Sequence, residues 1–266
     1  MYLTSWLHTV WQRRELLQLL SSRDILQRYR GSLGGLLWAL LTPLLLLSVY
    51  TAVFSGIFQA RWGDSSDPLE FALQLFVGLS VHGLMADCFS RAPALLIHNS
   101  NYVKRVVFPL PLLPLSTVVA ALFNFLLSVA VLVVFYIAIQ HAVPWGVLWL
   151  PVIVLPYALL LLGGCDVLAA VGVYVRDIAQ VMSLVITILL FASPVFYPAS
   201  MLPPALQGVF QLNPLTVIIE QLRATILHQQ LPDWGVLALY SVVAVALLQL
   251  GVWVFAQLSK EAADVL

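Results

Sequence analysis

Again and again along its 266 residues the chain runs for about twenty positions with almost no charge, and this recurrence constrains the fold more than any single motif. The runs fall near residues 36–58, 71–90, 112–139, 147–173, 179–197 and 235–257. A helix rises about 1.5 Å per residue, so roughly 20 apolar residues cross ~30 Å of hydrocarbon with every backbone polar group satisfied internally. Composition agrees, with 62% of residues hydrophobic and 9% charged and a mean hydropathy of +0.99. These values exclude an ordinary soluble domain. The expected fold class is an all-α integral membrane protein with six transmembrane helices, divided into an N-terminal amphipathic segment, 1–33, and a six-span transmembrane domain, 34–266. Cys88 and Cys165 stand far apart inside apolar runs, which suggests neither a disulfide framework nor a metal-binding pair.

The cationic residues give an orientation. If the runs alternate in direction, Arg13, Arg14, Arg23, Arg28, Arg30, Arg91, Lys104, Arg105, Arg176 and Lys260 share one side, leaving Arg61 and Arg223 on the other. Lysine and arginine accumulate on the cytoplasmic side of membrane proteins, so both termini are expected there. Asp64, Asp67 and Glu70 then belong to the first external connection. The beginning of the chain shows no basic patch followed by a short apolar core and a cleavage site, so its first residues are expected to remain in the mature protein.

Before the first run, Leu3, Trp6, Leu7, Val10 and Trp11 recur at helical spacing opposite Thr4, Ser5, His8 and Gln12. The pattern predicts an interfacial helix, held by two tryptophans and by arginines that anionic lipid attracts at about 1 kcal/mol each. A plain flanking helix on the cytoplasmic side has the same pattern. Between the fifth and sixth runs, residues 198–234 contain Pro198, Pro203, Pro204, Pro214 and Pro232 and cannot form one unbroken helix.

Ionisable residues within spans are costly and call for partners. Asp87 lies four residues before Arg91 and is expected to pair with it; Asp166, next to Gly163 and Gly164, is expected to be buried against a donor; Glu220 and Arg223 lie one turn apart and are expected to pair. The stretch GLSVHG, 78–83, holds Ser80 and His82, but two helical positions separate side chains by about 200°, too far for a nucleophile and its base. With no acidic metal-binding pair or triad in the sequence either, an intramembrane hydrolase or glycosyltransferase is left as a remote alternative.

Several stretches carry a family resemblance. RDILQRYRGSLGGLLWALLTPLLLLSVYTAVF, starting at Arg23, resembles the N-terminal signature of ABC-2 type permeases that export lipid-linked polysaccharides such as O-antigen, teichoic acid and capsule. NYVKRVVFPLPLLPLSTVV is similar to that family's cytoplasmic connection between spans two and three. YVRDIAQ, SPVFYP, LNPLTVIIEQLRATIL and FAQLSKEAADVL follow in the family's order, so the resemblance covers nearly the whole chain.

The resemblance implies an ABC-2, or type V ABC, permease fold with an N-terminal interfacial helix and two short re-entrant helices between spans five and six. It implies a homodimer in the bacterial inner membrane, with two copies of a separate P-loop ATPase that binds ATP and Mg. No G-x-x-x-x-G-K-[ST] occurs in this chain, so no cofactor is expected in it and it is expected to be a permease subunit rather than an enzyme. Segment 98–109 resembles the ATPase-coupling helix, with Asn99, Tyr102, Lys104 and Arg105 as its contacts and Pro109 at its end. Arg23, Asp24, Arg28, Tyr29 and Arg30 become a cytoplasmic gate or headgroup site; membrane anchoring alone also accounts for the arginines.

The family's first and fifth spans line the channel. Sugar rings stack on aromatic faces, so Tyr50, Phe54 and Phe58, four apart on one face, and Phe191, Phe196 and Tyr197 become its candidate lining. Aromatic stripes also pack between helices or face lipid. Asn213 and Pro214 are the candidate external gate. O-antigen is the first choice of cargo, with capsule, teichoic acid or a smaller lipid or drug as alternatives.

Overall fold

The computed structural model describes residues 2–31, 34–53, 68–103, 108–198, 201, 208, 210 and 213–260. Among them the regular structure is helical. Two helices, α1 (Tyr2–Gln12) and α2 (Arg14–Tyr29), precede the apolar α3 (Leu37–Tyr50). The long α4 (Pro68–Arg91) runs through a 3-10 turn into the short α5 (Leu95–His98) and α6 (Ser100–Val103). There follow α7 (Leu112–Gln140), α8 (Leu150–Tyr174), α9 (Ile178–Phe191), α10 (Pro214–Leu222) and α11 (Trp234–Leu258).

Local sequence sets several of these boundaries. Pro111 and Pro114 sit at the start of α7, where a missing N–H costs nothing, and His141 ends it in the left-handed region at φ 51°. The Asp233 carboxylate accepts from the Gly235 and Val236 amides and so caps α11.

Leu69–His98, Leu112–Gln140, Trp145–Tyr174 and Trp234–Leu258 are long and apolar enough to cross a membrane. Leu37–Val53 and Ile178–Phe191 are apolar but shorter; the 14 residues of α9 span about 21 Å. By length, then, the described helices account for four of the six expected spans.

The central helix is α8, whose most extensive partner is α11. Their backbones touch: a methyl group on Gly251 would overlap the Gly163 carbonyl, and one on Gly163 would lie 2.6 Å from the Leu247 carbonyl oxygen. Small residues at a crossing allow this approach, which substitutes for the hydrophobic effect that lipid cannot supply. Gly172 abuts the Pro93 carbonyl in the same way. At the periphery, α3 buries only the stripe Ala39, Pro43 and Leu47, one residue per turn, and packs it chiefly on α7; α9 has no fully buried residue.

The spans alternate in direction. Arg91, Leu112, Tyr174 and Leu258 meet at one end, where the Tyr174 hydroxyl donates to the Leu258 carbonyl at 2.7 Å. At the far end the Trp149 and Trp234 rings meet edge to face, centroids 5.3 Å apart. The described lysines and arginines other than Arg223 gather at the first, basic end. Exposed tryptophans mark both levels, Trp145 and Trp234 at the far end, Trp38 and Trp253 at the basic end, as in the aromatic belts of membrane proteins.

Candidate functional site

Two polar assemblies hold most of the described polar site residues. At the basic end, α2 lies along α7 and is strapped to the bundle by consecutive turns of its own side chains. Arg23 donates to the Tyr102 hydroxyl at 2.8 Å and the Asn99 side-chain oxygen at 3.4 Å, with its guanidinium over the Tyr102 ring. Tyr102 stacks in turn on Phe108, and the Asn99 amide donates to the Leu95 carbonyl. Asp24 accepts from the Ser116 hydroxyl at 3.1 Å and lies 3.8 Å from Arg23. Arg28 pairs with Asp87 of α4. The Tyr29 hydroxyl donates to Asn124 at 2.9 Å, and burial raises the phenol above its ordinary value.

This arrangement joins what the sequence separates. Asn99 and Tyr102, read as coupling contacts, and Arg23, read as a gate residue, form one network. Asp87 pairs with Arg28 rather than with the expected Arg91. Arg30 is exposed and, with Arg23 and Tyr29, lines an open cavity of about 520 Å³. Lys104, Arg105, Phe54 and Phe58 lie outside the described residues.

Between α3, α4 and α7 runs a second cavity of about 320 Å³, with Arg28 and Asp87 in its wall together with Ser80, Asn124, Ser128 and Tyr50. Tyr50, a candidate for channel lining, is half-buried there. Ser116 and Asn124 escaped the sequence reading, although a lone asparagine in the apolar run LFNFLL was a signal for a partnered polar group. Ser80 and His82 do not form a dyad: the serine donates to the Phe76 carbonyl and the histidine meets the Ile186 carbonyl of α9.

At the far end, Arg223 is 2% exposed and holds three segments at once. It donates to the Gln74 carbonyl of α4, to the Pro194 and Val195 carbonyls after α9, and to Glu220 one turn before it. The expected pairing with Glu220 exists, at 3.1 Å, as one part of this staple. Asn213 works on the same turn: its side-chain oxygen accepts from the Leu215 amide and caps α10, and its amide donates to the Ala192 carbonyl and the Ser193 hydroxyl. Pro214 follows as the first helical residue, where its fixed φ suits a helix start. Phe191, Phe196 and Tyr197 do come together, with Phe191 stacked on Phe196, Tyr197 donating to the Phe191 carbonyl, and Phe210 against the Tyr197 ring.

Comparison with known proteins gives a consistent result. A family model described as ABC-2 type transporter matches residues 15–227. The chain is 30% identical over 257 residues to a Myxococcus xanthus protein named O-antigen export system permease protein RfbA, covering 96% of each chain. A Klebsiella pneumoniae protein of the same name is 24% identical over 255 residues, 95% of each chain. A family match along most of the chain, on a bundle with long apolar helices, makes this a multi-pass membrane protein that belongs to the ABC-2 type transporter family.

Proposed function

We propose that the chain is the membrane-embedded permease subunit of an exporter of lipid-linked polysaccharide, O-antigen being the polymer. The observation that carries this reading is the similarity, along nearly the whole of both chains, to permeases named for O-antigen export. In it, two copies of the chain form the pathway through the inner membrane with six spans each and both termini in the cytoplasm. Two copies of a P-loop ATPase bind ATP and Mg and supply the energy. The basic end supports the orientation, since cationic residues collect on the cytoplasmic side.

The exposed face of α9 supports a pathway between copies. Gln180, Ser183, Thr187 and Phe191 recur at spacings of three and four and are all exposed. Thr187 returns its hydroxyl to the Ser183 carbonyl; the Gln180 amide and Ser183 hydroxyl are unfavourable facing hydrocarbon, whereas facing a hydrated channel they exchange hydrogen bonds with sugar hydroxyls. Tyr50 with Phe54 and Phe58 on the first span, and Phe191, Phe196 and Tyr197 on the fifth, then give stacking surfaces. Asn99, Tyr102, Lys104 and Arg105 receive the stroke of the ATPase, and the Arg23 network passes it to α2. Arg30 meets lipid phosphate at the cytoplasmic entrance, beside the Arg28–Asp87 pair. Asn213 and Pro214, on the second of two re-entrant helices, belong to the external gate.

The test is gentle purification from the native bacterial membrane together with deletion of the gene. A co-purifying P-loop ATPase with a polyprenyl-linked O-antigen, and loss of that polymer from the cell surface, are the expected results. Capsule or teichoic acid in place of O-antigen would change the cargo alone. A preparation with neither ATPase nor glycan, from cells whose surface polymers are intact in the deletion, overturns the reading.

A further inference from the structure

Asp166 is 1% exposed, and neither of its carboxylate oxygens has a hydrogen-bond partner among the described residues. A carboxyl group left so is costly whether charged or neutral, because hydration is lost and nothing replaces it. The residue lies on α8 one turn beyond Gly163, the point of backbone contact with α11, and lines a cavity of about 130 Å³. Val252 and Phe255 of α11 form part of its wall, and α1 supplies Trp6 and Thr9.

Trp6 brings a third unpartnered polar atom. Its indole N–H is buried without an acceptor among the described residues, and the whole side chain is 8% exposed. Two residues that line one cavity therefore carry a buried donor and two buried acceptors, and the cavity's volume is ample for several water molecules. A metal ion fits poorly, since no cluster of three His, Cys, Asp or Glu exists among the described residues and the α11 side of the cavity is hydrocarbon.

The apolar face of α1 is divided accordingly. Trp6 turns into the bundle, while Leu7 and Trp11, on the other flank of the same face, are 53% and 73% exposed. One flank suits lipid and the other is committed to the protein, so a specific contact fixes how the helix is rolled.

We propose that the Asp166 cavity is a water-binding site that docks the N-terminal helix: ordered water accepts from the Trp6 indole N–H and donates to the Asp166 carboxyl. Water joining otherwise unsatisfied buried groups is a structural component, and its removal frees what it joined. The helix so held is the one that leads, through Gln12 and Arg13, into the strap of α2.

Hydrogen exchange on the full chain in lipid nanodiscs tests the proposal. Trp6→Phe keeps the ring and removes the donor; Asp166→Leu removes both acceptors; Asp166→Asn keeps one. In the first two, exchange across α1 is expected to quicken about tenfold while α8 is unchanged, and the Trp6→Phe/Asp166→Leu double variant to go no further than either single change. Asp166→Asn is expected to stay within about threefold of the parent. Unchanged α1 exchange in Trp6→Phe, or single effects that simply add, overturns the shared site. So does an Asp166→Leu protein that gains thermal stability with α1 still protected, because the carboxyl would then be an uncompensated burden in an apolar core.

Discussion

The Arg23 guanidinium reaches the Tyr102 hydroxyl across 79 positions of sequence, tying the N-terminal segment to the link between the second and third spans. Arg23→Ala should release α2, quickening its hydrogen exchange by an amount matching about 1–3 kcal/mol, and should lower export in intact cells. Tyr102→Phe, which keeps the ring under the guanidinium, should cost about 1 kcal/mol and leave more export. Equal behaviour of α2 in parent and Arg23→Ala would show that the strap is held elsewhere.

The pairing of Arg28 with Asp87 is open to a charge-swap experiment. Arg28→Asp and Asp87→Arg should each reduce export strongly, because each leaves like charges facing one another in the wall of the α3/α4/α7 cavity. The double variant should recover export to within about threefold of the parent if the pair acts as a unit. A double variant worse than both singles would assign the two residues separate tasks.

Arg223 should be among the least replaceable side chains. Arg223→Ala strands the Pro194 and Val195 carbonyls, removes the tie to the Gln74 carbonyl of α4 and leaves Glu220 without its partner, a loss of about 3–5 kcal/mol visible as a lowered melting temperature. Arg223→Lys should recover little, since an ammonium cannot reproduce the fork that serves three carbonyls at once. A lysine variant that melts with the parent would contradict this account.

Among glycines, position decides the outcome. Gly251→Ala places a methyl group against the Gly163 carbonyl and should cost about 1–3 kcal/mol or more, whereas Gly83→Ala, with nothing within 4 Å, should be neutral to slightly stabilising. Thermal unfolding of both variants in the same detergent gives the comparison.

The long spans were legible because about twenty uncharged residues have few other places to fold. The fifth expected span emerges shorter than its apolar run: hydropathy records which residues tolerate lipid, while helix length also depends on where the backbone turns, as it does around Ser193 and Pro194. Local pairs were readable when both partners lay on one helix, as with Glu220 and Arg223. Asp87 shows the limit of that logic. Its neighbour in sequence, Arg91, is a turn away, yet Arg28 reaches it from another helix, and no spacing rule carries information across 59 residues. The partners of Asn124 and Ser116, which are Tyr29 and Asp24, were hidden for the same reason. Asp166 was recognised as buried, but its expected donor is missing among the described side chains, and periodicity has nothing to say about cavities.

The thin attachment of α3 and α9 has a mechanical consequence. One helix keeps a single narrow stripe out of contact with its surroundings and the other keeps no residue wholly inside, while α4, α7, α8 and α11 hold the interior. The free energy of displacing an element scales with the surface it must uncover and the hydrogen bonds it must break. Swinging α3 by a few ångströms, or pivoting α9 about the end that Asn213 and Arg223 hold, would uncover little, so the stiff part of the molecule and the part that yields most cheaply to force are different helices, and the chain can change shape at its edge without loosening its centre.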